Sequence, residues 1–482
     1  MQDKNYKGKM LKMLKSIYKT VKTAVSLKGN QRTAFFSSGL GLKQGCILSP
    51  FLFSLYINDL ERALYADNTH TISVEDANLF YLLFADDLTL FSNTVIGLQR
   101  LIDRLSDYCN QWKLTVNIDK TKIMVFRRGG PLSRTEKWFY NGSQIETVSY
   151  FKYLGVTFSS SGNWSRNNVT MGERGLKALN YIRSINIKLT SLPVNALCTM
   201  FDSMVIPAMT YGGEIWGFGE CTGIERVQVK FGKLLLGLPN SVPNCVPGIE
   251  LGRSDIKCIL LQKAITYWIK LKAMDSSRYP FKCYQLQLRW VQQERDCWAL
   301  KIKKLLYGIG MGEVWLFGAG NTNIFLKHFK QRISNIKNQE MLGKVQETSM
   351  LRIYKLIKTN FGEEPYIRKA KTVCIRKSLA KLRGSGLYIN VHIGRRQNIP
   401  YEERVCVNCS KCIEDEYHVL FECPLYNNIR NRFIPRYYTF HPNQHKMVNL
   451  MTTESEIILN NLGKFVMYMQ RIRDEYLDWT SI

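Results

Sequence analysis

Asp86 and Asp87 stand where two short apolar runs meet in LFYLLFADDLTLFS, residues 79–92. Such runs read as a strand, a tight acidic turn and a second strand, which would hold both carboxylates at the apex of a hairpin. Paired carboxylates without a cation repel each other and lose hydration. Hard oxygens that leave ligand positions open suit Mg²⁺, and two such ions can activate an attacking hydroxyl and stabilise a departing triphosphate oxygen. On the pair alone, turn chemistry is the simpler reading, because aspartate is common in hairpin turns. A second constellation lies far downstream. Cys406, Cys409, His418 and Cys423 form C-x2-C-x8-H-x4-C in VCVNCSKCIEDEYHVLFECP. Two cysteines at this spacing can wrap one ion, and the later His and Cys complete a tetrahedron. Closed coordination by thiolate and imidazole favours structural Zn²⁺. The competing reading is a set of buried free thiols, and Cys412 offers an alternative ligand. His392 and His441 fall outside the spacing and read as ordinary core or surface histidines.

The elements that would position these groups follow from periodicity. Residues 9–25 place Met10, Leu11, Leu14, Ile17, Tyr18, Val21 and Val25 at helical spacing among Lys9, Lys12, Lys15, Lys19 and Lys22. GLKQGCILSP reads as a loop, and FLFSLYINDLERAL resumes the helical period through Leu52, Leu55, Tyr56, Leu60 and Leu64. After the acidic hairpin, LQRLIDRLSDYCNQW predicts a helix, LTVNIDKTKIMVF a loop and strand, and VSYFKYLGVTF at 148–158 a strand or hairpin. Helix, hairpin, helix and strand in this order predict an α+β layer of antiparallel strands backed by helices. Beyond residue 165 the pattern is mostly helical. GIGMGEVWLFGAGNTN at 308–323 reads as a boundary or hinge and matches no phosphate loop.

A chain of 482 residues exceeds one hydrophobic core. Its 67 Lys and Arg against 39 Asp and Glu give a net charge of +28. Such an excess attracts polyanions, nucleic acid first among them, since each phosphate neutralised releases condensed counterions. A basic chain that binds nothing specific, or that sits on anionic lipid, is the alternative. No apolar run approaches the roughly 18 residues of a membrane span, and no signal-peptide hydrophobic region follows MQDKNYKGKM, so a soluble intracellular protein is expected. The scattered cysteines do not form a secreted disulfide framework.

GLKQGCILSP at 41–50 followed by FADD at 84–87 resembles the downstream part of a non-LTR retrotransposon (LINE-type) reverse transcriptase. The resemblance implies a partial palm, a helical thumb and extension, and a small C-terminal zinc module. Asp86 and Asp87 would then be catalytic Mg²⁺ ligands, and Gln44 and Gly45 would lie beside template and incoming nucleotide. Lys120, or alternatively Lys122, in NIDKTKIMVF would approach the nucleotide phosphates. Tyr153, Leu154 and Gly155 of FKYLGV would form the primer grip. DSMVIPAMTYGGEIWG at 202–217 and the helix from Ile224 resemble the region that follows the polymerase, and EDEYHVLFECP resembles the family's CCHC module, which does not require Cys412. The implied partners are an RNA template, a DNA primer or target, and dNTPs, with a nuclear location.

The corresponding domains are 1–160 partial palm, 161–307 thumb and helical extension, 308–395 basic helical linker, 396–435 zinc module and 436–482 C-terminal tail. Arg376, Lys377, Lys381, Arg383, Arg395, Arg396, Arg430 and Arg432 are candidate phosphate ligands around that module. The family's third palm aspartate has no counterpart here: Asp3 is the only acidic residue before Gln44, and no apolar strand surrounds it. A truncated copy or partial gene model, weakly active or inactive alone, is therefore expected. A non-catalytic nucleic-acid-binding derivative is the second reading. A group II intron maturase is a third, disfavoured by the EIWG region and the CCHC spacing.

Overall fold

The structure, a computed structural model, describes residues 8–19, 21–26, 32–37, 41–43, 45–65, 70–127, 129–133, 135–188 and 192–480. It is a mixed α+β fold with small sheets and many helices, and it divides into two compact units, Met1–Ser149 and Tyr150–Ile482. In the first unit, helix α1 spans Gly8–Lys19 and has no buried residue. The expected helix to residue 25 stops there, because Lys22–Thr23 (β1) pairs antiparallel with Phe36–Ser37 (β2). The long apolar period from Leu52 to Leu64 is also interrupted, giving α2 (Ser49–Tyr56) and α3 (Leu60–Leu64). Ile57 N–H closes on Phe53 O, and the chain turns through Asp59, whose carboxylate accepts the Tyr108 hydroxyl at 2.7 Å.

Strands β3 (Ile72–Val74) and β4 (Ala77–Leu79) form a hairpin that the sequence pattern did not reveal. Next come β5 (Tyr81–Phe84) and β6 (Asp87–Leu90), paired antiparallel as expected. Helix α4 (Val95–Trp112) begins where the Thr94 hydroxyl accepts Gly97 N–H at 3.0 Å, and it ends at Lys113 with φ 53°. Its neighbours Leu101 and Ile102 serve different apolar clusters. Leu101 packs with Leu60, Leu64, Phe80 and Tyr108, and Ile102 with Ile123, Trp138, Tyr140 and Ile145. Strand β7 (Lys122–Ile123) arises from the NIDKTKIMVF segment, β8 (Phe139–Tyr140) and β9 (Ser143–Gln144) form a hairpin, and β10 (Glu146–Thr147) pairs with β7 in parallel.

The second unit opens with hairpin β11 (Tyr150–Tyr153) and β12 (Val156–Ser159), and the described residues after it are helical or irregular. Helix Ser165–Lys188 packs against Thr222–Leu236 around Met171, Leu179, Val227 and Phe231. Between them, a widened turn at Phe201–Val205, closed by Ile206 N–H on Phe201 O, precedes Pro207, which has no N–H to continue an α-helical ladder. Helix Ile256–Lys272 serves two cores. Ile256 and Leu260 join the first, while Leu261, Ile265 and Trp268 join a second with Ile302, Leu306 and Phe329. Val314 and Trp315 from the glycine-rich 308–323 segment also pack into that second core. The segment 436–482, expected as a tail, instead forms helix Glu456–Thr480, whose Leu459, Phe465 and Met469 are buried in the first core beside Cys406 and Cys423.

Candidate functional site

Residues Ala85 and Asp86 form the two-residue tip between β5 and β6, where Phe84 pairs with Asp87. Ala85 takes φ 56°, the left-handed value that such hairpin turns need at their first central position. Alternation along the paired strands puts Tyr81, Leu83, Leu88 and Leu90 on one face. Tyr81, Leu88 and Leu90 pack against the Leu60–Leu64–Phe80 cluster. The other face carries Leu82, Phe84, Asp87 and Thr89. The turn thus lifts Asp86 and Asp87 side by side into solvent, both exposed. Among the described residues no third acidic, His or Cys ligand lies within metal-binding reach of them.

Gly45 has φ 78° beside a turn in which Cys46 N–H meets Lys43 O at 3.2 Å, a conformation that side chains resist. Gln44 lies outside the described residues. Lys120 is exposed in the turn before β7, its N–H held by the Asn117 side chain at 3.1 Å. The alternative, Lys122, is engaged elsewhere, because its ammonium meets Glu146 Oε2 at 2.6 Å. Tyr153, Leu154 and Gly155 form the β11–β12 tip in the second unit, with Leu154 at φ 44° and Gly155 at φ 85°. A Cβ on Gly155 would lie 3.2 Å from the Tyr211 ring and 3.7 Å from the Arg174 guanidinium.

The cysteine cluster is assembled by two local devices. Val405 and Ile413 bridge antiparallel, with Cys406 N–H on Cys412 O at 2.8 Å, so the C-x2-C turn folds back on itself. Downstream, His418–Glu422 form a widened turn closed by Cys423 N–H on His418 O at 2.9 Å. In an ordinary α-helix residues five apart point about 140° away from each other, and the wider i→i+5 turn brings them toward one side. Cys406 Sγ lies 3.8 Å from Cys423 Sγ, and Cys409 Sγ lies 3.5 Å from His418 Nε2. Tetrahedral Zn²⁺, with bonds of about 2.3 Å to sulfur and about 2.0 Å to nitrogen, sets S···S and S···N edges of about 3.8 and 3.5 Å. The ligand atoms of Cys406, Cys409 and His418 lie within 4.8 Å of one another and could hold a metal ion, while Cys423 stands outside that group and meets it through Cys406.

His418 Nδ1 faces Glu422 Oε2 at 3.2 Å, the carboxylate support that orients a metal-ligating imidazole through its other nitrogen. Burial opposes a charged ring, but hydrogen bonds that the ring N–H groups donate to the Cys406 sulfur and the Glu422 carboxylate outweigh it and raise His418 to about 9. Sharing a proton with Cys406 lowers the Cys423 thiol to about 7, and the same contact raises Cys406 to about 11.

Three consecutive acids before the histidine fasten the cluster to other elements. Glu414 accepts the Arg473 guanidinium through both oxygens at 2.7 and 2.8 Å, Asp415 meets Arg352 at 2.7 Å, and Glu416 meets His392 Nε2 at 3.0 Å. His392 is buried, consistent with a core histidine, and His441 is exposed. Several of the expected phosphate ligands are structural instead. Arg430 is buried, with Nε on Leu420 O at 2.7 Å and a terminal nitrogen on Cys423 O at 2.8 Å. Arg383 is buried against Glu250 at 3.1 Å and Glu364 at 2.6 Å, and Arg376 is buried as well. Burial withdraws all three from solvent, whereas Arg396 and Arg432 stay exposed, and Lys377, Lys381 and Arg395 are half-buried. Glu422 and the Glu414–Glu416 run are functional neighbours that the ligand spacing did not announce. The signal that could have found Glu422 was an acid four residues after the histidine, one helical turn away.

Residues 4–158 match the reverse transcriptase (RNA-dependent DNA polymerase) family. The chain is 28% identical to an uncharacterised transposon-derived protein of Caenorhabditis elegans, over 38% of this chain and 65% of that protein. It is 21% identical to the RNA-directed DNA polymerase from mobile element jockey of Drosophila melanogaster, over 40% of this chain and 21% of the relative. It is 34% identical to the Pol polyprotein of the type-2 retrotransposable element R2DM of the same fly, over 26% of this chain and 12% of the polyprotein. Against these three the chain spans less than two thirds of the relative's length. Residues 4–158 therefore carry a reverse-transcriptase-like domain, in a chain distantly related over part of its length to transposon and retrotransposon Pol proteins.

Proposed function

We propose that this chain supplies the nucleotidyl-transfer and nucleic-acid-holding parts of a retrotransposon reverse transcriptase. The observation that carries the reading is the β5–β6 tip, which raises Asp86 and Asp87 together into solvent within a segment matching that family. The two carboxylates would hold Mg²⁺, which when bound neutralises phosphate charge and activates the primer hydroxyl. Gln44 and Gly45 would face template and incoming dNTP, and Lys120 would offer a point charge to the leaving phosphates. Tyr153, Leu154 and Gly155 would brace the primer. Cys406, Cys409, His418 and Cys423 would hold structural Zn²⁺, supported by the grouping of the first three and by the Cys406–Cys423 and Cys409–His418 separations.

Two carboxylates align a primer hydroxyl less well than three, so extension by this polypeptide alone is expected to be weak or absent. The test is purified chain with Mg²⁺, a primed RNA template and dNTPs. Product no greater than that of the Asp86→Ala, Asp87→Ala double variant is expected. Vigorous, aspartate-dependent extension would show that a further ligand completes the site. The second reading, a non-catalytic nucleic-acid-binding protein, is favoured by the net charge of +28. It predicts salt-sensitive RNA or DNA binding with no extension under any template.

A further inference from the structure

Beside the proposed zinc tetrahedron lies a second group of ligand atoms. Cys412, His418 and Glu422 present theirs within 4.8 Å of one another, and His418 belongs to both groups. The groups differ in access. Cys406, Cys423 and His418 are 1%, 0% and 3% exposed and Cys409 is half-buried, whereas Cys412 and Glu422 face solvent. A hydrated divalent ion cannot reach three buried donors in one step, because it must shed water in stages as each protein ligand replaces one. Its first partners have to be exposed, and a carboxylate beside a thiol suits a cation of intermediate softness.

We infer that Cys412, Glu422 and His418 form an outer station through which the metal ion enters and leaves the buried Cys406–Cys409–His418–Cys423 site. This inference rests on the zinc reading of that site. The incoming ion is held first by the Glu422 carboxylate and the Cys412 sulfur, whose proton passes to solvent. His418 then binds it from the position it occupies in both groups. The inner thiols lose their protons in turn and displace the outer pair, after which Glu422 returns to the His418 ring N–H. Cys412 is thereby a carrier and not a permanent fourth ligand.

The test uses the full chain loaded with Zn²⁺, with equilibrium affinity measured by competition against a chromophoric chelator and exchange by stopped-flow transfer of Zn²⁺ in both directions. Cys412→Ser should leave the affinity within about threefold of the unaltered chain while slowing loading and release about tenfold each, and Cys423→Ser should lower affinity by about tenfold or more. Glu422→Gln, which keeps an oxygen for the His418 N–H but removes the charge, should slow exchange in the same direction. Unchanged exchange in Cys412→Ser, with affinity intact, overturns the outer station and leaves the zinc reading standing. A Cys412→Ser variant that loses affinity as Cys423→Ser does also overturns it, because Cys412 would then be an inner ligand. An unaltered chain that binds no Zn²⁺ overturns the zinc reading and the station together.

Discussion

Glu414, Asp415 and Glu416 show how much depends on where a charge ends up. In sequence they are simply three adjacent acids before His418, yet Glu414 and Arg473 are almost wholly withdrawn from water. Removing one partner strands the other, which costs about 3–5 kcal/mol, whereas replacing both with apolar residues costs far less. Arg473→Met should therefore lower the urea midpoint strongly, and adding Glu414→Leu should recover much of the loss. A double variant as unstable as the single one would show that the pair does more than neutralise itself. Glu225 predicts a pH dependence. Its half-buried carboxyl shares Lys257 N–H with Asp255, at 3.1 and 2.8 Å. Burial first, and Asp255 second, raise it to about 9. The folded state thus holds a proton that the unfolded state releases near pH 4.3, taking that as the approximate ordinary value for Glu. Stability must then fall as pH rises between those limits. Glu225→Gln should flatten that part of the urea-midpoint profile, and an unaltered slope would assign it to other groups.

At the scale of elements, what the sequence disclosed depended on whether the cause was local. The β5–β6 hairpin was legible because apolar runs flank a polar pair, and the metal ligands because coordination imposes its own spacing. The β3–β4 hairpin escaped notice because ISVEDANL mixes polar and apolar residues, and its turn relies on Glu75 at φ 55° instead of a glycine. The break between α2 and α3 was hidden because the apolar period runs across it, and only Asp59, meeting Tyr108 from a distant helix, marks the turn. The roles of Arg383 and Arg430 were invisible for the same reason, since a cation's identity does not name its partner. The hairpin tip can be tested directly. A β-branched residue at the φ of Ala85 costs about 1–2 kcal/mol, while glycine relieves strain at a small entropic expense. Ala85→Val should weaken hydrogen-exchange protection across Tyr81–Leu90, and Ala85→Gly should preserve it. Equal protection in the two variants would mean that the tip is not strained.

Within the second unit, the first of its two apolar cores runs from Met171 through Cys406 and Cys423 to Met469. A metal ion at the cysteine cluster would therefore stabilise that core as well as a local knuckle. Ligand at about a thousandfold its Kd adds about 4 kcal/mol to whatever unit folds around it. Chelation should lower the far-ultraviolet circular dichroism melting midpoint of the unit as one transition, and loss confined to residues 406–426 by hydrogen exchange would show that the cluster folds independently. No described helix is long and apolar enough to cross a membrane.

The buried contact between Glu250 and Arg383 has a further consequence, in time. These residues are 133 positions apart, and each must remain hydrated until the intervening helices have condensed around them. We expect a contact of such long range, buried only once both helices are packed, to form after the folding barrier has been crossed. Weakening it should leave the refolding rate nearly unchanged and accelerate unfolding. The ion pair that closes the core would then set how long the second unit survives once formed, while having little influence on how soon it forms.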